Sequence, residues 1–488
     1  MSTIFLELMS IFPELFLVSV SLILLIFGAF NEGRKFRTIC YVSIISLVLT
    51  AFFSFLLSDE KLQVFSGLFV INGYTQFFKS VVLIAGAFVL FMSFKHLERE
   101  EINRFEFPVL LLLASLGMLV MISSADFLTL FMGIELQSLS LYILTAFQRD
   151  KLISSEAGLK YFILGALSTA FVLYGISLIY GYCGTTEFFG VYKAFKVAVS
   201  NPLPPAIGLV LIFSGMAFKV SLVPFHMWTP DVYEGSPTPV TAFLTSAPKI
   251  AAFVLWIRLM VEVFPSYVDL WQTILMVLAI ASMVLGAFLA LMQTNIKRLL
   301  AYSTISHMGF ALLGLLESNF KGVSSVLLYL MIYLVMAIGI FAFVLNLRKH
   351  GKPVESIEDF AGLSKENPLT AFASALILFS LAGLPPFAGF FAKLHVFISA
   401  VQGGFYKTAV IGLMASVIAA AYYLKIVKIM YFDQSTTNGG GIRFDRVLYS
   451  ETLWIMILSA VVVSTYIFYP DLISAPIEAA LRDLGGAR

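Results

Sequence analysis

Charge is scarce in this sequence. Asp, Glu, Lys and Arg make up 12% of its 488 residues against 60% hydrophobic, and the mean hydropathy is +0.95. Soluble domains carry about 25% charged and about 45–50% apolar residues, so the composition excludes a water-soluble globular protein and identifies an integral membrane one. The net charge of +2 comes from basic residues scattered over loops, with no basic stripe, and no nucleic-acid partner is expected. Cysteine is almost absent: Cys40 and Cys183 stand far apart, outside any CxxC or CxxCH unit. That argues against an iron–sulfur, zinc or covalent haem site, and no metal is expected in this chain. A phosphate-cradling glycine loop is missing too, because the one Gly-rich run, Gly439 to Gly441, follows no strand. The first apolar run, Ile11 to Phe30, has no basic segment before it and no small-residue cleavage site after it, and is expected to be a retained helix.

What the chain has in abundance is long apolar runs. At about 20 residues per crossing they divide into about fourteen transmembrane spans, an all-α polytopic architecture. The spans run near 10–30, 38–58, 75–95, 107–125, 127–147, 156–181, 204–228, 239–263, 268–292, 298–317, 321–347, 368–401, 405–431 and 449–471. The linkers are short, and the two longest, Tyr182 to Pro204 and Phe432 to Ser450, read as surface loops. Lys and Arg concentrate on alternate loops, at Arg34, Lys35 and Arg37, at Lys95, Arg99 and Arg104, at Arg149 and Lys151, at Lys297 and Arg298, at Arg348, Lys349, Lys352 and Lys365, and at Arg443 and Arg446. The richer side is expected to be cytoplasmic, which leaves both termini on the outer side and requires an even number of spans.

Two spans are interrupted in the same way. The seventh carries Lys219 five residues before Pro224, and the twelfth carries Pro385, Pro386 and then Lys393. A proline removes a backbone donor and displaces the carbonyl one turn earlier, so both spans are expected to be discontinuous, with carbonyls near Val220, Leu381 and Ala382 in need of water or side-chain partners. The breaks lie five spans apart, and an odd offset turns the second copy upside down, which predicts two inverted five-helix repeats. Ionisable residues at membrane depth are expensive and mark ion or proton paths. Here they are Glu135 in the fifth span, Lys160 in the sixth, Lys219, Lys249 in the eighth, and Lys393. A carboxylate beside a buried lysine favours its charged form, so one acid among several bases suits a proton relay, although a static ion pair between Glu135 and Lys219, or a lysine snorkelling to the interface at Lys160, is the plainer alternative. His307, flanked by Ser303, Thr304 and Ser306, is a candidate intermediate carrier; His226 and His395 are secondary candidates that fit capping or interface roles equally well. Lys425 is either a snorkelling anchor or the inner mouth of a second half-channel, and Lys428 and Lys79 read as anchors.

The segments FMGIELQSLSLYIL, AFKVSLVPFHMWTPDVYEGSPTPVTAFLTSAPKIAAF, IKRLLAYSTISHMG and LAGLPPFAGFFAKLHVF resemble the antiporter-like membrane subunits of respiratory complex I, over essentially the whole chain. Within that family the sequence looks most like the N type. The M type carries a glutamate where Lys393 stands, and the L type a long lateral C-terminal helix for which Pro470 to Arg488 leaves no room. The resemblance implies a bacterial inner-membrane subunit with periplasmic termini and a non-redox proton channel. Its relay would be Glu135, Lys160, Lys219, Lys249 and Lys393. It implies no cofactor in this chain, with NADH, FMN, iron–sulfur clusters and quinone in partner subunits, among them neighbouring antiporter-like subunits. The implied division is 1–106, 107–263 and 264–432 for the two repeats, and 433–488. Subunits of Mrp-type cation/proton antiporters and of membrane-bound hydrogenases share the repeat and stand as the alternative; a quinone- or haem-binding subunit is opposed by the lack of paired histidines.

Overall fold

Apolar runs in hydrocarbon leave the backbone one local way to satisfy its hydrogen bonds, and the chain is helical almost throughout. The computed structural model describes residues 3–31, 35–57, 62–196, 203–349, 351–434, 444–445 and 450–484. Arg34, the run at 439–441, Arg443 and Arg446 lie outside the described residues. In chain order the elements are α1 (Thr3–Ser10), α2 (Phe12–Phe30), α3 (Phe36–Leu56), β1 (Leu62–Val64), β2 (Phe69–Ile71), α4 (Gly73–Arg99), α5 (Glu106–Ser123), α6 (Phe127–Thr145), α7 (Leu152–Cys183), α8 (Phe188–Lys196), α9 (Leu203–Lys219), α10 (Thr229–Gly235), α11 (Thr238–Thr245) and α12 (Ala247–Arg258). They continue with α13 (Val268–Leu291), α14 (Ile296–Leu315), α15 (Phe320–Asn346), β3 (Arg348–Lys349), β4 (Lys352–Pro353), α16 (Leu363–Glu366), α17 (Pro368–Ala382), α18 (Ala388–Gln402), α19 (Tyr406–Phe432), α20 (Ser450–Thr465) and α21 (Asp471–Leu484). Among the described residues ten helices are long and apolar enough to cross a bilayer, and α9, α17, α18 and α20 are shorter apolar helices.

Both expected breaks are present. The seventh span ends as a helix at Lys219 and resumes at Thr229, and the twelfth stops at Ala382 and resumes at Ala388. The Val223–Pro224 and Pro385–Pro386 bonds are cis. The structure departs from the sequence expectations in several places. The eighth span, Thr238–Val263, is one of the ten but is not regular: it is interrupted at Ser246 (φ −106, ψ −99) and finishes as a π-turn over Leu259–Val263. Pro248, in the first turn of α12, has no amide to offer the carbonyl four residues back, and a break just before it follows. The linker after Tyr182 contains α8 and is not a plain loop, and the segment after the last span folds into the short helix α21, which buries Ile477, Ala480, Leu481 and Leu484. Two small antiparallel hairpins, β1–β2 and β3–β4, interrupt the helical pattern.

The chain forms two compact units that interleave along the sequence: Met1–Val220 with Ala247–Ile274 and Pro476–Arg488, and Ser221–Ser246 with Leu275–Ala475. In the first unit α5 and α6 pack backbone to backbone. A Cβ on Gly117 would stand 2.4 Å from the Gln137 nitrogen and one on Gly133 2.7 Å from that of Met121, so only glycine permits this approach. Asp126 starts α6 by accepting from the Leu128 and Thr129 amides at 2.7 and 3.1 Å. The π-turn places buried Arg258 to donate to the Ile122 and Ser124 carbonyls, both at 2.7 Å, and to Glu262. In the second unit Asn295 starts α14 through the Lys297 and Arg298 amides. Arg298 bridges Asp231 at 2.7 Å and Glu234 at 2.9 Å, and Lys297 pairs with Glu355 at 3.1 Å. Helix α14 is buried everywhere except at Arg298 and Tyr302, which a helix this rich in Ser, Thr and His tolerates only inside protein.

Lys79 is a further correction. It is no interfacial anchor: its ammonium lies 2.5 Å from the Glu14 carboxylate, and both side chains are buried. Removing one partner of such a pair strands a charge at a cost of about 3–5 kcal/mol, whereas removing both is close to neutral. Lys79→Met is therefore expected to reduce the amount of folded protein in membranes, and Glu14→Leu with Lys79→Met to restore it. Immunoblots of membranes and thermal melts of the extracted protein check this, and an unaffected Lys79→Met would show the pair to be dispensable.

Candidate functional site

The ionisable residues singled out in the sequence separate into one cluster in each unit. In the first, Lys219 is the last residue of α9, so its carbonyl has no partner inside the helix. The Lys249 ammonium, buried on α12, donates to that carbonyl at 3.4 Å. A cation at a helix C-terminus also complements the helix dipole. The half-buried Lys219 side chain turns to α6 and donates to Ser138 Oγ at 2.5 Å, while Ser138 donates to the Ile134 carbonyl. Glu135 lies three residues before Ser138, half-buried, and its carboxylate acts electrostatically on Lys219 and on Tyr142. The direct partner of Lys219 is thus a serine that sequence reading passed over, although spacing of i to i+3 puts it on the Glu135 face of α6. Lys160 is not drawn into this cluster: it pairs with Glu156 of its own helix at 2.6 Å on a face of α7 where its side chain is 42% exposed.

The second cluster is built on the other break. Lys393, buried on α18, donates to the carbonyls of Leu381 at 3.3 Å and Ala382 at 3.0 Å, and to Ser416 Oγ at 3.0 Å. These are two of the carbonyls expected to lack partners, at the C-terminal end of α17. The turn is made by Gly383, whose φ of +82 suits glycine. Gly389 then lets α18 return against α17, since a Cβ there would stand 1.8 Å from the Ser380 carbonyl. His307 is buried on α14 with both ring nitrogens engaged: Nδ1 with Tyr329 OH at 2.6 Å and Nε2 with Tyr423 OH at 3.0 Å. Tyr423 OH is also bonded to Ser303 Oγ. Phe310 meets both groups, its ring 5.1 Å from the Lys393 ammonium and 6.3 Å from the imidazole. Nothing in an apolar span marks Tyr329 or Tyr423 as different from a packing aromatic, which is why the sequence did not reveal them.

The remaining candidates stand apart. His226 is buried in the break segment after α9, where its carbonyl accepts the Thr229 amide at 2.8 Å. His395 is exposed on α18 with Nδ1 bonded to the Phe391 carbonyl, and Lys425 is exposed on α19, so neither joins the Lys393 cluster. Pro224, Pro385 and Pro386 are exposed at the outer edges of their breaks.

Discontinuous helices with polar groups at the break are an arrangement that many membrane transporters use. Residues 124–419 match the family described as NADH:quinone oxidoreductase/Mrp antiporter, TM. The chain belongs to that family. Within the family it is 44% identical over 483 residues to NADH-quinone oxidoreductase subunit N of Paramagnetospirillum magneticum, covering 98% of each chain. A chain of respiratory complex I from Thermus thermophilus with bound aureothin is 29% identical, with a TM-score of 0.80 over 95% of this chain and 98% of that one. A chain of the Mrp complex from Dietzia superposes with a TM-score of 0.84 over 98% of each, but at 21% identity it shows the fold alone. The family's transmembrane character agrees with the multi-pass architecture of the chain.

Proposed function

We propose that the chain is the N-type, proton-translocating membrane subunit of a bacterial NADH:quinone oxidoreductase. It spans the inner membrane about fourteen times, with both termini on the periplasmic side. The observation that carries this reading is the repeated capping of a broken helix by a buried lysine, Lys249 on α9 and Lys393 on α17, in a chain that aligns end to end with a subunit N. Residues 107–263 and 264–432 form two inverted repeats, flanked by 1–106 and 433–488. Protons enter near Lys160, pass Lys219, Lys249 and His307, and leave past Lys393, with Glu135 controlling the charge held at Lys219. A lysine that gives up its proton loses its strongest bond to the break carbonyls, and water entering the break takes its place. Hydride and electron chemistry belong to partner subunits that hold NADH, FMN, iron–sulfur clusters and quinone; this chain contributes proton transfer. Whole-length identity of 44% to a subunit N, against 21% to the Mrp chain, favours this over a sodium-linked antiporter.

The chain, tagged and extracted in mild detergent, is expected to copurify with NADH:quinone oxidoreductase activity. In proteoliposomes the particle should pump protons on NADH addition without sodium. Recovery as a homomeric or sodium-dependent assembly would replace this reading with the antiporter one.

A further inference from the structure

Two hydroxyl chains approach His307, and they differ in kind. Tyr333 OH donates to Thr304 Oγ1 at 3.0 Å, and Thr304 donates to the Leu300 carbonyl at 2.8 Å. That chain ends on a backbone oxygen, which only accepts. The other runs Ser303 Oγ, Tyr423 OH, His307 Nε2, His307 Nδ1, Tyr329 OH, and every member both donates and accepts. All four residues are buried.

We propose that Ser303, Tyr423, His307 and Tyr329 form a reversible proton wire, with the two tyrosine hydroxyls as catalytic residues on opposite nitrogens of the imidazole. The inference rests on the reading of this chain as a proton channel. In one setting Ser303 donates to Tyr423, Tyr423 to Nε2, and Nδ1–H to Tyr329. A proton arriving at Ser303 displaces the Ser303 proton to Tyr423, the Tyr423 proton to Nε2, the Nδ1 proton to Tyr329 and the Tyr329 proton outward. One proton enters and one leaves, no group keeps a net charge, and each O–H bond broken is replaced by another. The imidazole has changed tautomer, so every bond of the wire now points the other way. A second proton in the same direction must wait until the hydroxyls and the ring have been reset. The wire passes one proton per cycle and does not leak continuously, which a translocating subunit needs. The Phe310 ring lies beside both the His307 imidazole and the Lys393 ammonium.

The test uses the intact complex in proteoliposomes, with protons pumped per NADH oxidised as the readout for four variants. Tyr423→Phe and Tyr329→Phe are expected to fall to the level of His307→Ala, because removing either hydroxyl cuts the wire, whereas Tyr333→Phe, which loses a neighbouring hydroxyl of the dead-end chain, should pump as the parent does. Residual pumping in the first two should also slow several-fold more in D2O than the parent's, since proton transfer has become limiting; a defect of packing alone would leave the isotope effect unchanged and overturn the wire. If His307→Ala blocks pumping and both tyrosine variants pump normally, the wire is wrong and the relay stands. If Tyr333→Phe loses as much as the others, packing around the ring explains the effect and the wire is again wrong. If His307→Ala itself pumps normally, the route through this station falls, and the wire with it.

Discussion

Membranes carrying Glu135→Gln are expected to oxidise NADH with most proton pumping lost and the complex fully assembled. The substitution keeps the shape of a half-buried side chain on α6 and removes only its charge. A carboxylate near an ammonium at an effective dielectric of about 20 contributes on the order of 1–4 kcal/mol. Each 1.4 kcal/mol of that is about tenfold in the balance between charged and neutral lysine. The hydrogen bond from Lys219 to Ser138 at 2.5 Å survives the change, but it holds the amine in place without following any signal. A bond to a charged group contributes about 1.5–3 kcal/mol, so Ser138→Ala should weaken pumping less than Glu135→Gln does. Glu135→Asp retains the charge, shortens the reach and should keep a good part of the activity. Normal pumping by assembled Glu135→Gln complex would remove Glu135 from the mechanism.

The second large effect concerns Lys249 and Lys393, the two lysines that cap broken helices. Each places its ammonium at a helix end, donating to the Lys219 carbonyl in one case and to the Leu381 and Ala382 carbonyls in the other. Replacing either by alanine leaves helix-terminal carbonyls without their donor and removes one proton carrier. If the carriers act in series, Lys249→Ala and Lys393→Ala alone should each block the route as thoroughly as the two together, because a path cut once is already cut. Pumping measured in the two single variants and the double one decides this. Half the activity in each single variant and none in the double one would mean that the two halves conduct in parallel.

Much of this arrangement is legible in the sequence, for a reason that differs from element to element. The spans are legible because transfer into hydrocarbon depends on each segment's own composition, so α2, α3 and α5 fall where apolar runs of sufficient length occur. The breaks after Lys219 and Ala382 are legible because proline acts on its own helix and needs no neighbour to do so. The same rule applied at Pro248 would have located the break at Ser246, but there the surrounding apolar run masked it. Expected partners for the Leu381 and Ala382 carbonyls followed from the same local geometry, and Lys393 met them.

What spacing along the chain does not contain is the rotation of one helix against the next. Lys79 and Glu14 lie on helices whose individual sequences give neither a partner, and only the packing of α4 against α2 turned an apparent interfacial anchor into a buried ion pair. Ser138, one turn from Glu135 on α6, takes the direct bond of Lys219, which hydropathy does not register. Tyr329 and Tyr423 come from helices far apart in sequence and become partners of one imidazole only when α15 and α19 are seated around α14. The sequence by itself determined that this protein crosses a membrane many times, where two of its helices break, and that Glu135, Lys219, Lys249 and Lys393 ride on apolar helices, since each follows from the chemistry of a single segment. Which of those charges meet, and which hydroxyls connect them, was decided by tertiary structure, because hydrogen bonds act over about 3 Å while the chain specifies only the helix on which each group rides.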